Sequence, residues 1–282
     1  MKKISLIVGL ICLLLTSAHT FCYAQTAGTA EAELKAILDA IPNWWWDGGW
    51  DKLNELKDFI SKHPDKPALL AQAQYYIGCY YYSIRNNDAA IRAYDTVISA
   101  YPSADAWRAK AQYEIAQIYL NCLHQPEAAI REYEKVLSNY QDMNLKPVAQ
   151  LMIGKAYLEL ENYPEAEASF KKVITDYPQA KKQHSEVYLG LGDLSIQVGS
   201  STSDKSKVSQ AISYYKKAYL TCPQDEPGLL DYIIGKLYEA FKALDNSVAR
   251  ANTFVKYQKY GPQGEDGISG TKDDLTDPLT EF

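Results

Sequence analysis

Histidine is scarce in this 282-residue chain, and its four copies are dispersed. His63, His124 and His184 each fall at a loop or helix edge, with no Cys, Asp or Glu at the spacing that holds a metal. No Gly-x-Ser-x-Gly elbow, phosphate-cradling loop or dinucleotide fingerprint is present, and Leu189-Gly190-Leu191-Gly192 lies inside helical sequence. The 35 acidic side chains are scattered at spacings that suit solvated helix faces and pairs with lysine. An enzyme is therefore not expected, nor a cofactor or a metal. What the residue types do offer is contact: 23 Tyr against 6 Phe, and one dense aromatic run, Trp44-Trp45-Trp46-Asp47-Gly48-Gly49-Trp50. Three adjacent indoles cannot all face one core. The run reads either as packing around an Asp-Gly-Gly turn or as an exposed platform for a glycan or a partner protein.

Charge and composition narrow the partners. Hydrophobic residues at 47% and charged residues at 23% are ordinary for a chain that folds in water, which excludes polytopic membrane, collagen-like and wholly disordered classes. The formal charge of −6 offers no positive excess to phosphates, so a nucleic-acid partner is not expected. Met1-Lys2-Lys3, the apolar run Ile4 to Thr16 and the small residues before Gln25 read as a secretory signal peptide spanning 1–24. The apolar run is short for a membrane span, so membrane association is expected to be indirect only. Cleavage leaves 27 basic residues (29 less Lys2 and Lys3) against 35 acidic ones, a formal charge of −8. It also leaves Cys79, Cys122 and Cys222, an odd number that allows at most one disulfide; each is expected to be buried and apolar.

The elements that must carry these residues repeat. Ile77-Gly78-x-x-Tyr81 is followed by Ala90, Tyr94, Val97, Tyr101 and Pro102. Ile115-Ala116-x-x-Tyr119 is followed by Ala129, Tyr133, Val136 and Tyr140, with one extra residue between its two halves. Ile153-Gly154-x-x-Tyr157 leads to Ala166, Phe170, Val173, Tyr177 and Pro178, and Leu191-Gly192 to Ala211, Tyr215, Ala218 and Pro223. Ile234-Gly235-x-x-Tyr238 leads less regularly to Phe254, Tyr257 and Pro262. Apolar residues three and four apart make each half an amphipathic helix, so each unit is a helical hairpin. The small residues 78, 116, 154, 192 and 235 mark where paired helices come closest, and the later aromatic fills the space beside them. Pro126 and Pro164 suit a helix start, and Pro102, Pro178 and Pro223 a helix end. Gly199 to Lys207 reads as a flexible loop inside the fourth unit.

At these residues the chain resembles the tetratricopeptide repeat (TPR) family, whose pattern is a large residue, Leu-Gly, Tyr, Ala, an aromatic, Ala and Pro. The period is longer than the family's usual length, because extra residues lie between one unit's Pro and the next unit's first helix. Tyr101-Pro102-Ser103 followed by Ala106, Ala109 and Ala116 is similar to the variant in exported members, including the β-barrel-assembly lipoprotein and the Tol-Pal-associated periplasmic protein. The resemblance implies an all-α, right-handed TPR-like solenoid of about six helical hairpins. It also implies that the inner face carries the ligand. That face would take Tyr75, Tyr113, Leu151, Leu189 and Tyr232 three residues before each small one, and Cys79, Gln117, Lys155, Asp193 and Lys236 one residue after it. Tyr82, Leu120, Leu158, Ile196 and Glu239 would follow four after.

The chain thus divides into a signal peptide at 1–24, a divergent N-terminal hairpin at 25–66 that caps the repeats, TPR-like repeats at 67–262, and an acidic Gly/Asp-rich tail at 263–282. The tail holds six acidic residues and one basic, and its spacing does not fit the Asp-x-Asp-x-Asp-Gly calcium template. The expected function is an exported scaffold that holds a protein or peptide partner in a concave groove, in cell-envelope assembly. Its location would be periplasmic in a Gram-negative source and secreted otherwise. The alternative is a glycan or cell-wall binder using Trp44, Trp45, Trp46 and Trp50.

Overall fold

Helices form where apolar spacing and turn chemistry coincide, and they account for all regular structure among the described residues of the computed structural model. Those residues are 29–40, 50–202, 204–223 and 225–244, with only the backbone described at 50 and 51. The signal peptide, Trp44, Trp45, Trp46, the Trp50 side chain, Phe254, Tyr257 and the acidic tail lie outside them. The chain forms two compact units, Met1–Ile118 and Tyr119–Phe282.

The first unit holds α1 (Ala30–Asp39), α2 (Trp50–Lys62), α3 (Pro67–Ser83), α4 (Asn87–Ala100) and α5 (Asp105–Gln117). Thr29 Oγ1 caps α1 by accepting from the Ala32 amide at 3.2 Å, and Asn86 caps α4 by accepting from Ala89 at 3.1 Å. Leu34, Leu53, Leu56, Phe59, Leu70 and Ile77 form one buried cluster over α1, α2 and α3. At its margin His63 Nε2 lies 2.8 Å from a Glu33 carboxylate oxygen, which holds the Glu33 carboxyl below its usual range.

The second unit holds α6 (Pro126–Asn139), α7 (Leu145–Glu159), α8 (Tyr163–Asp176), α9 (Lys181–Thr202), α10 (Lys205–Thr221) and α11 (Pro227–Ala243). Pro126, Pro164 and Pro227 sit in the first turns of α6, α8 and α11, where the missing amide costs no hydrogen bond. α4, α8 and α10 each end just before Pro102, Pro178 and Pro223.

Within each unit the close approach of paired helices is set by glycine. Gly78 lies against the Tyr94 ring, Gly154 against Phe170 and Gly192 against Tyr215, and a β-carbon at any of the three would overlap the ring. Phe170 also covers Gly190 of the following helix, so it fills space both within its own hairpin and towards the next. Gly235 differs. Nothing among the described residues lies within 4 Å of a β-carbon there, and Phe254 and Tyr257, the aromatics read for that unit, lie outside the described residues.

Three turns share one geometry. Arg85, His124 and Glu161 adopt left-handed φ values of 60°, 51° and 55°. Asn86 N–H then donates to Tyr81 O at 2.9 Å and Asn162 N–H to Tyr157 O at 2.9 Å, each spanning five residues as a helix C-terminal motif does. The matching bond at the second turn, Gln125 N–H to Tyr119 O at 2.8 Å, spans six. The extra residue noted in that repeat is taken up by a π turn at Ile118–Cys122.

Two expectations are corrected. The stretch from Gly199 is not a loop: α9 runs to Thr202 and α10 starts at Lys205. Ser201 and Thr202 hydroxyls donate back to Val198 O, and Asp204 caps α10 by accepting from the Ser206 amide at 2.8 Å. The three cysteines are not disulfide-bonded, but only Cys222 is buried; Cys79 is half-buried and Cys122 is exposed. Cys122 closes the π turn, whose extra residue turns it outward.

Candidate partner-binding surfaces

In the first unit, α3 and α5 bring Tyr75 and Glu114 together across 39 positions of sequence. The Tyr75 hydroxyl donates to Glu114 Oε1 at 3.0 Å. The Tyr75 ring lies 5.4 Å from that of Tyr94 and 5.3 Å from that of Trp107, and Tyr76 meets it edge-on at 5.6 Å. The Tyr94 hydroxyl donates to Cys79 Sγ at 3.4 Å. Burial raises the Glu114 carboxyl, partly offset by the Tyr75 hydrogen bond, and it pushes the Cys79 thiol up to about 11. Tyr75 and Tyr94 hydroxyls are likewise driven well above their ordinary value by burial. Tyr113 and Gln117 sit one helical turn apart on α5, with the Gln117 amide donating to the Tyr113 hydroxyl. Tyr82 is exposed at the end of α3.

In the second unit the residue after Gly192 again bonds the aromatic of its hairpin. Asp193 Oδ1 accepts the Tyr215 hydroxyl at 2.7 Å and also pairs with Lys236 Nζ at 2.9 Å. Lys236 Nζ lies 5.3 Å from the Tyr232 ring centre. Burial alone would lower the Lys236 ammonium, but Asp193 and Tyr232 together outweigh it and hold it above its usual value. Lys155 offers no acceptor, and the aromatic of that hairpin is Phe170; Lys155 instead pairs with Glu186 at 3.0 Å. Where Cys79 or Asp193 can accept, the aromatic is tyrosine. Asp193→Ala should therefore cost about 1–3 kcal/mol in chemical denaturation, since it strips the acceptor from a buried hydroxyl. An unchanged unfolding midpoint would refute that pairing as a structural contact.

A cavity of about 710 Å³ opens beside this ion pair, lined by Asp193, Ile196, Tyr232, Gly235, Tyr238 and Glu239 among others. Tyr232 is 53% exposed at its edge. The expected surface residues thus separate. Tyr75, Cys79, Tyr113 and Gln117 are half-buried in the first unit with Tyr82 exposed; Lys155, Lys236 and Tyr232 reach solvent in the second. Leu151, at 1% exposure, is packed with Phe170 and Val187 in the core and offers a partner nothing. Leu189 is buried for the same reason, an aliphatic side chain with no polar end to hold at the surface. Leu120 is buried because the π turn shifts its place around the helix. Glu114 and Trp107 were not foreseen. The signal available was that Glu114, two before the small residue, stands where the other units have Tyr76, Met152, Gly190 and Ile233.

Among the described residues no three His, Cys, Asp or Glu side chains group to hold a metal, and no helix is long and apolar enough to cross a membrane.

A family model for soluble NSF attachment protein, SNAP, matches residues 69–189. PilW, a widely conserved type IV pilus biogenesis factor, is 16% identical over 85% of this chain and 96% of its own, with a TM-score of 0.60. The apo form of RapI is 14% identical over 87% of this chain and 69% of its own, at 0.62. The C-terminal part of a TPR repeat-containing protein from Cytophaga hutchinsonii is 15% identical over 93% of each chain, at 0.57. No curated protein sequence matches the chain. At these identities the likeness is one of fold: the chain is an all-α protein of TPR-like helical hairpins.

Proposed function

We propose that this TPR-like chain is an exported, non-enzymatic scaffold that holds a protein or peptide partner, in assembly at the cell envelope. The observation that carries the reading is the cavity beside Asp193 and Lys236, half open and edged by the exposed Tyr232 ring. An exposed aromatic beside a concave apolar surface is a favoured contact point for a peptide or helix. Export rests on the leader read at 1–24, with the divergent hairpin at 25–66, the repeats at 67–262 and the acidic tail at 263–282 forming the mature chain. The likeness to PilW, a pilus biogenesis factor, agrees with an envelope role. The residues proposed for contact are Tyr82, Tyr113 and Gln117 in the first unit and Lys155, Tyr232 and Lys236 in the second.

Capture of envelope proteins on the immobilised mature chain tests this. Tyr232→Ala should lower partner binding about tenfold, as truncation of an interface aromatic does. It should move stability by less than about 0.5 kcal/mol, since the ring is largely solvated. Capture that is unchanged by Tyr232→Ala would remove the cavity from the interface. Pelleting of the chain with peptidoglycan in place of protein capture would favour the glycan reading of the Trp run.

A further inference from the structure

The Glu114 carboxylate is half-buried, and its hydrogen-bond partner is neutral. It has acceptor capacity for several hydrogen bonds and receives one, from the Tyr75 hydroxyl at 3.0 Å. Among the described residues no Lys, Arg or His forms an ion pair with it; its surroundings are burial and the Tyr75 bond. Lys110, one helical turn earlier on α5, places its ammonium 4.4 Å from the Trp107 ring centre and leaves the carboxylate unpaired. Beside it the half-buried rings of Tyr75 and Trp107 lie 5.3 Å apart, with the buried Tyr94 ring behind Tyr75 at 5.4 Å. Aromatic faces and a carboxylate together attract a cation, the rings through their quadrupoles and the carboxylate through charge-assisted hydrogen bonds.

The chain itself carries the completed arrangement elsewhere. In the second unit Asp193 takes a tyrosine hydroxyl, from Tyr215, and then an ammonium, from Lys236, which also lies over the Tyr232 ring. The first unit has the carboxylate, the tyrosine hydroxyl and the aromatic flank, but not the ammonium. We infer that the half-buried Tyr75–Glu114 site receives the Lys or Arg side chain of a peptide partner, which supplies the missing cation. This rests on the partner-binding reading above and specifies the partner's chemistry at one position.

The groups around Glu114 fix its pH response. Tyr75, Tyr94 and Cys79 all stay protonated near neutrality, the thiol pushed up to about 11. Glu114 is raised from 4.5, so a cationic peptide binds more tightly as pH rises through the Glu114 value and levels off above it. Tyr75→Phe removes the bond that lowers that value and moves the binding curve to higher pH.

A random peptide display library panned against the mature chain tests the inference. Selected peptides should share a Lys or Arg at a fixed position. Glu114→Gln should weaken them about 30-fold or more, the lower end of the scale for truncating one partner of a desolvated charge pair. Replacing the basic residue by norleucine should cost the same, and the two changes together little more than either alone. Melting curves control for folding: at neutral pH Glu114→Gln should melt no lower than wild type, because it deletes a poorly solvated charge. Peptides that lack a shared basic residue, or that bind Glu114→Gln equally well, overturn the inference and leave the scaffold reading standing. A library from which wild type selects nothing overturns the scaffold reading and this inference with it.

Discussion

Phe170→Ala should destabilise the second unit by about 3–5 kcal/mol, the range for deleting a buried aromatic from a core that cannot close over the gap. The ring is fully buried and packs with Leu151, Ala166, Val173, Val187 and Leu191. Two features place it at the high end. It faces glycine on both sides, lying 2.5 Å from a β-carbon built on Gly154 and 2.7 Å from one built on Gly190. Neither neighbour has a side chain that could relax into the cavity. The same ring joins α7, α8 and α9, so its loss weakens two helix contacts at once. Urea denaturation followed by circular dichroism gives the cost directly, and a loss below about 1 kcal/mol would mean that the ring is not the wedge described here.

The second large effect lies at a glycine of the repeat. Gly192→Ala should destabilise by about 1–3 kcal/mol or more, although alanine is the better helix former. Its methyl carbon would lie 2.3 Å from the edge of the Tyr215 ring. That ring is 1% exposed and its hydroxyl is held by Asp193 at 2.7 Å, so it cannot swing away without breaking the contact that also orients Lys236. Thermal melts of Gly192→Ala against wild type measure the cost. A stabilised Gly192→Ala would contradict the packing.

Much of this packing is legible from residue spacing. A glycine followed 16 residues later by an aromatic marks both Gly78 with Tyr94 and Gly154 with Phe170. The polar insert of the fourth unit hides the same relation between Gly192 and Tyr215, because it lengthens two helices and forms no separate loop. Side-chain exposure is less legible. Tyr75, Leu151, Leu189 and Tyr232 hold one repeat position, yet Leu151 is 1% exposed and Tyr232 is 53% exposed. The leucines carry nothing that needs water or a hydrogen-bond partner and are drawn wholly into the core. Tyr75 is held at the core's margin by the bond from its hydroxyl to Glu114.

Two of the tyrosines have their reason at the same level. Tyr94 and Tyr215 occupy the wedge position where the residue facing them accepts a hydrogen bond, and phenylalanine occupies it where that residue is Lys155. The amino-acid order alone determines the helices, their turns and the glycine-aromatic interlock, because all three depend on residues close in sequence or at a regular repeat. Only the tertiary structure decides that Glu114 sits half-buried against Tyr75 with no cation paired to it among the described residues, while Asp193 has Lys236. Those partners are contributed by different helices, and whether a charge is paired depends on which side chains the packed helices bring within 3 Å of it.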